Sequence, residues 1–289
     1  MTDATFTDHF FTTADGPRIH YRDYPAIGPE RGLPVLCLHG LTRNVKDFEE
    51  LAPRIAKEGR RVIVASQRGR GLSEPDPQPE RYHPPVYSAD MIGLLDALGI
   101  DRAVFVGTSM GGLMTFIIAG QQPERVAAAV INDIGPALDQ AGLDRIKANV
   151  SERGAVKDWA EAEAATRASN LAAFPDRADD AEFWADFARK TWIENTDGTI
   201  RPGFDKAITR QVVDGPVPEF WDFWTPFADI PTLLVRGAIT DLLTEETVAE
   251  MKRRKPDLER VDVAGVGHAP FMTEPEAWSA IRDFLGRVD

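Results

Sequence analysis

The stretch Ala103-Val-Phe-Val-Gly-Thr-Ser-Met-Gly-Gly-Leu-Met-Thr-Phe-Ile-Ile-Ala-Gly-Gln121 decides the fold. Ala103 to Gly107 reads as a buried strand. From Met110 the pattern turns helical, with Leu113, Met114, Phe116, Ile117 and Ile118 packing inward. Between the two lies Gly107-Thr108-Ser109-Met110-Gly111, a G-x-S-x-G pentapeptide in the strand–turn–helix context that a nucleophile elbow requires. So tight a turn holds its central residue in a strained conformation. Gly107 and Gly111, lacking a Cβ, let strand and helix approach each other. Ser109 then projects into a cleft, and the first amides of the new helix face any oxyanion formed there.

Outward from this elbow, the chain alternates. A hairpin is expected at residues 8–24, with arms His9–Thr13 and Arg18–Tyr24 around Ala14-Asp15-Gly16-Pro17. Leu33–Leu38 is a buried strand leading to His39-Gly40-Leu41-Thr42, with a helix over about 46–58. Strand Arg61–Ala65, a Pro-rich loop over 66–86 and a helix over about 87–98 precede the elbow. Strand Val126–Ile131 ends at Asn132-Asp133-Ile134-Gly135-Pro136. The alternation then breaks. Residues 136–227 show helical patterns and no convincing strand, and hold Trp159, Trp184, Trp192, Trp221 and Trp224. It resumes with strand Thr232–Arg236, a helix over about 245–254, strand Glu259–Val263 and a helix near 275–287. Strands alternating with helices mean an α/β fold whose mostly parallel sheet is covered on both faces.

Composition narrows the function. At 43% apolar residues the 289-residue chain can bury a full core, and its formal charge of −13 offers no basic surface for nucleic acid or anionic membranes. No apolar run is long enough to span a membrane and no secretory signal is visible, so a cytoplasmic location is expected. The single cysteine, Cys37, sits in an apolar run as a packing residue.

A serine nucleophile needs a base, and the base needs an acid to orient it. Of the histidines His9, His20, His39, His83 and His268, only His268 follows Ser109. It stands in Gly265-Val266-Gly267-His268-Ala269-Pro270, a loop between a strand and the last helix, where ligand-facing groups of such sheets belong. For the acid, Asp241 in Val235-Arg236-Gly237-Ala238-Ile239-Thr240-Asp241 is preferred, since a short strand-end loop is its whole context. Asp133 is the rival; its alternative role is to brace the join between the sheet and the helical block. The oxyanion would be held by the backbone N–H of Met110 and, from the loop after an early strand, that of Leu41. His39 is read as the residue that holds this loop.

Together these residues resemble the α/β-hydrolase superfamily, in its cap-bearing serine esterase, lactonase and C–C hydrolase branch. The resemblance covers nearly the whole chain. It rests on His39-Gly40, Ser109-Met110-Gly111-Gly112, Arg236-Gly237-x-x-Thr240-Asp241 and Gly267-His268, all in the right order. A fifth signal, Arg68-Gly69-Arg70-Gly71-Leu72-Ser73, is similar to the family's Asp-x-Arg-Gly-x-Gly-x-Ser loop, with Ser66 standing where the family usually has Asp. The resemblance implies an eight-stranded sheet, with residues 1–135 and 228–289 forming the core and 136–227 a helical cap. It also implies the order serine, acid, histidine, which makes His268 the base. No metal or organic cofactor is expected.

The expected activity is hydrolysis of a small-molecule carboxylic ester or lactone through an acyl-enzyme. Alternatives are cleavage of a C–C bond in a β-diketone or ring-cleavage product with the same residues, or ligand binding without turnover. Ala269 follows His268 where many hydrolases of ring-cleavage products are expected to carry Trp, which lowers the C–C reading. Among the aromatic residues, Phe271, Trp184 and Trp192 are candidates to line the pocket.

Overall fold

The computed structural model describes residues 5–151, 154–211 and 219–288. Residues 1–4, 152–153, 212–218 and 289, which fall within the expected core and cap spans, lie outside the described residues. In chain order the strands are β1 (Thr7–Thr12), β2 (Arg18–Tyr24), β3 (Val35–Leu38), β4 (Val62–Ala65), β5 (Ala103–Thr108) and β6 (Val126–Asn132). They continue with β7 (Trp192–Glu194), β8 (Ile200–Pro202), β9 (Thr232–Gly237) and β10 (Glu259–Val263). The helices are α1 (Leu51–Lys57), α2 (Pro84–Ala97), α3 (Met110–Gln121), α4 (Gln140–Ser151) and α5 (Trp159–Asn170). After them come α6 (Ala181–Thr191), α7 (Trp221–Trp224), α8 (Glu245–Arg254) and α9 (Pro275–Leu285).

The main sheet has eight strands in the order β1-β2-β4-β3-β5-β6-β9-β10. From β4 to β10 all neighbours are parallel, and β2 runs against both of its neighbours. The central strands are apolar almost without interruption because both faces are covered. Period-two alternation sends Leu36 and Leu38 of β3 to one face, with Phe105, Met114 and Phe116. Val35 and Cys37 go to the other, with Val104, Val106, Ile281 and Phe284. Cys37 is fully buried there, and burial raises its thiol pKa. The outer helices carry their own end signals. Thr244 caps α8 by accepting from the Thr247 amide at 3.1 Å, with Glu245 and Glu246 in the first turn and Lys252, Arg253 and Arg254 in the last.

Between β6 and β9 the chain leaves the sheet. Helices α4, α5 and α6 follow, as the patterning predicts. The expectation of no strand there is corrected by the small antiparallel pair β7–β8, in which Trp192 faces Pro202. The two strands are three residues each, too short for alternation to register in the sequence. This segment is fastened to the sheet's loops. Asn44 Nδ2 donates to the Lys190 carbonyl at 2.9 Å, Lys190 Nζ pairs with Glu50 at 2.8 Å, and the Gly267 amide donates to the Ala173 carbonyl at 2.7 Å.

Candidate active site

β3, β5 and β6 lie side by side and parallel, so their carboxyl ends open onto one crevice. Ser109 follows β5 with φ 52° and ψ −114°, a conformation that L residues rarely adopt. The fold enforces it through glycine. A Cβ on Gly111 would lie 2.1 Å from the Leu38 carbonyl oxygen, and one on Gly107 would lie 2.6 Å from the Gly111 backbone. No other residue lets helix α3 start this close to β3.

His268, in the loop after β10, places Nε2 3.0 Å from Ser109 Oγ. Its Nδ1 lies 2.8 Å from Oδ2 of Asp133. The expected partner Asp241 does not take this position: its carboxylate accepts two hydrogen bonds from Arg145 of α4, at 2.5 and 2.7 Å. The reason is topological. Thr108 and Asn132 are paired in register, so the residue just after β6 emerges beside the elbow. The positive φ of Asp133, 54°, turns its chain there. Asp241 lies further along, beyond the end of β9, where α4 packs down on the 241–242 turn through Gly142. The Arg145 guanidinium holds the Asp241 carboxyl below its usual range.

Asp133 is fully buried and fully partnered. Oδ1 accepts from the Gly237 amide at 2.8 Å, and Oδ2 accepts from the Thr240 hydroxyl at 2.6 Å as well as facing His268. A carboxylate bonded by this many donors is fixed in position. Gly237 and Thr240 belong to the motif that had pointed to Asp241; they serve the neighbouring acid instead.

The loop after β3 is held by His39. The Gln67 amide donates to its Nε2 at 2.9 Å, so Nδ1 carries the proton and donates to the Gly40 carbonyl at 2.7 Å. Burial, assisted by the charge of Arg70, lowers this imidazole to about 3 and keeps it neutral. The neighbouring loop is braced despite Ser66 in place of the family's acid. Ser66 Oγ accepts from the Val45 amide at 3.1 Å, and buried Arg68 is gripped by Asp15, Asp76 and Asp90.

Ser109 and His268 open into a cavity of about 130 Å³ shared with Gly40, Leu41, Arg43 and Arg145. Phe271 lines it as expected. Trp184 and Trp192 do not. Trp184 stacks behind Phe187 and donates to the Arg177 carbonyl at 2.7 Å. Trp192 donates to Thr166 at 2.8 Å and borders a separate cleft. The lining aromatics that composition did not single out are Phe48, between β3 and α1, and Phe174 and Phe187, from the inserted segment. Their periodicity matches that of packing residues, so nothing local distinguished them. Arg145 carried no signal either, being one basic residue on a polar helix. Asp133 did carry one, since it directly follows a strand, β6.

The sequence profile of the alpha/beta hydrolase fold family matches residues 34–275. The chain belongs to the α/β-hydrolase family, and it is a hydrolase by that membership. Among characterised relatives it is 32% identical to a 3-hydroxybutyrate-oligomer hydrolase of Cupriavidus necator, over 89% of this chain and 90% of the relative. It is 30% identical to the 2-(acetamidomethylene)succinate hydrolase of Mesorhizobium japonicum, over 87% of each. A crystal structure of an alpha/beta hydrolase from Novosphingobium aromaticivorans superposes with a TM-score of 0.91 at 37% identity, covering 100% of both chains.

Proposed function

We propose that this chain is a serine hydrolase of short carboxylic esters, working through an acyl-enzyme. The observation that carries this reading is the unbroken series of hydrogen bonds from Ser109 through His268 to the buried Asp133. Ser109 Oγ attacks the carbonyl carbon while His268 Nε2 takes its proton. Asp133 keeps the proton on Nδ1 and stabilises the imidazolium. The Leu41 and Met110 amides hold the tetrahedral oxyanion. His268 then protonates the leaving alkoxide, and a water activated by the same nitrogen releases the acid. Residues 136–227 act as the cap over this chemistry.

The cavity supports the substrate class. Its size suits a short acyl group, and Arg43, Arg145, Asn149 and Asn170 give it a polar side suited to an oxygen-bearing chain. The relative that hydrolyses 3-hydroxybutyrate oligomers supports an ester of a short hydroxy acid as the first natural substrate to try. The test is a p-nitrophenyl ester series, acetate to dodecanoate, together with a 3-hydroxybutyrate dimer, on wild type and Ser109→Ala. Turnover of short esters, lost by several orders of magnitude in the variant, is the expected result. Equal turnover in the two proteins would reject the nucleophile. Inert esters with hydrolysis of a β-diketone would move the reading to C–C cleavage.

A further inference from the structure

Beneath the elbow lies a charged side chain that the steps above leave unused. Arg70, in the loop after β4, is fully buried. Its Nε donates to the Leu41 carbonyl at 3.0 Å, and Nη1 donates to the Arg68 carbonyl at 2.8 Å and to the Tyr87 hydroxyl at 2.9 Å. Nη2 lies 4.0 Å from Met110 Sδ. The guanidinium carbon sits 4.7 Å from the ring centre of Tyr87 and 5.6 Å from that of Tyr82.

The contrast with Arg68 is informative. Arg68 meets Asp15, Asp76 and Asp90. Arg70 has no carboxylate within ion-pair distance among the described residues, only carbonyls, a hydroxyl, a sulfur and aromatic faces. A buried cation without a counter-ion is costly, and its field is weakly screened. This one touches both residues assigned to the oxyanion: Leu41 through its carbonyl and Met110 through its sulfur. The field reaches the same loop, since Arg70 is among the charges that disfavour protonation of His39.

We propose that Arg70 is a positioning residue for the oxyanion site: its bond to the Leu41 carbonyl fixes the peptide geometry that aims the Leu41 amide, and its unneutralised charge favours the negative oxygen of the tetrahedral intermediate. The reaction thus borrows a charge that the fold keeps buried without a counter-ion. This inference rests on the serine-hydrolase reading.

The experiment compares Arg70→Met and Arg70→Lys with wild type, with rates expressed per active site titrated by a fluorophosphonate so that misfolded protein is not counted. Two inhibitors separate the roles: a trifluoromethyl ketone, whose serine adduct carries an oxyanion, and the matching secondary alcohol, which is neutral. For Arg70→Met, kcat should fall roughly 10- to 100-fold with KM within about threefold, below the loss for deleting a direct oxyanion donor. The trifluoromethyl ketone should weaken in parallel and the alcohol should not. Arg70→Lys, which keeps the charge and loses the bond to Leu41, should recover part of the loss. Unchanged kcat per site, or equal weakening of both inhibitors, overturns the proposal. If Arg70→Met does not fold, Arg70→Lys decides: a weakened trifluoromethyl ketone with an unchanged alcohol supports it, and unchanged inhibition by both overturns it. A wild type inert to esters and to the fluorophosphonate overturns the serine-hydrolase reading, and this inference with it.

Discussion

His268 turns its Nδ1 to Asp133, at 2.8 Å, and not to Asp241, whose carboxylate is occupied by Arg145. Two acids at the carboxyl ends of neighbouring strands are thus divided between two tasks. Asp133→Asn keeps the shape and removes the charge that fixes the histidine tautomer, so kcat should fall by about 10⁴-fold. Asp241→Asn should stay within about fivefold of wild type in kcat, because the group lost is an exposed ion partner worth little on its own. Steady-state kinetics on one short ester decides it. A large loss in Asp241→Asn with little change in Asp133→Asn would reverse the assignment.

The elbow makes a prediction about folding. In Gly111→Ala the new methyl would meet the Leu38 carbonyl oxygen, part of the backbone of a central strand that cannot move aside. We expect a loss of about 3 kcal/mol or more in urea unfolding, at the upper end of single-residue effects. Gly99→Ala is the comparison, since its Cβ would meet nothing within 4 Å and only its φ of +66° is unfavourable. It should cost only about 1 kcal/mol, the price of a left-handed residue alone. Equal losses would show that the contact with Leu38 is relieved in the variant and does not exclude alanine at Gly111.

Most of the sheet was legible because apolar runs such as Val35–Leu38 and Val62–Ala65 can be buried only as central strands. The elbow was legible because its glycines answer to a geometric need. The acid was not. Both Asp133 and Asp241 stand in loops that follow strands, and choosing between them requires knowing that β6 lies next to β5 and that α4 reaches back to Asp241, which are long-range facts. The pocket wall was hidden for a similar reason: Phe174, Phe187 and Trp184 share one apolar cluster, and only packing decides which of them faces the cavity.

Acidification should weaken the fold through His39. Its pKa is about 3 in the folded chain, against an ordinary value near 6.5 when unfolded. Below pH 6.5 the unfolded chain therefore binds a proton that the folded chain refuses. The stability tied to the neutral ring is present above 6.5 and is lost as pH falls towards 3. The loss from this one group is about 2 kcal/mol at pH 5. Buried His20, also lowered by burial, adds in the same direction. Urea unfolding of wild type and His39→Gln between pH 7.5 and 5 tests it, with a flatter dependence expected in the variant. Parallel curves would remove His39 from the acid response.

The last prediction concerns chain length. Phe174, Phe187 and Phe271 line both the cavity at Ser109 and a neighbouring cleft of about 590 Å³. Phe271 lies 5.3 Å from Phe174 and 5.2 Å from Phe187, centre to centre, so these rings form a wall between the two spaces. Phe271 is only partly buried, and its truncation should cost less than the ~3–5 kcal/mol typical of a core Phe→Ala change. Phe271→Ala should open the wall and let an acyl chain continue into the cleft. The optimum in kcat/KM across p-nitrophenyl esters should then move to chains several carbons longer. Short esters should lose mainly in KM, because the rest of the catalytic arrangement is untouched. An unchanged optimum in a folded Phe271→Ala would mean that acyl chains lie elsewhere in the cavity, towards Arg145 and Asn149 of α4.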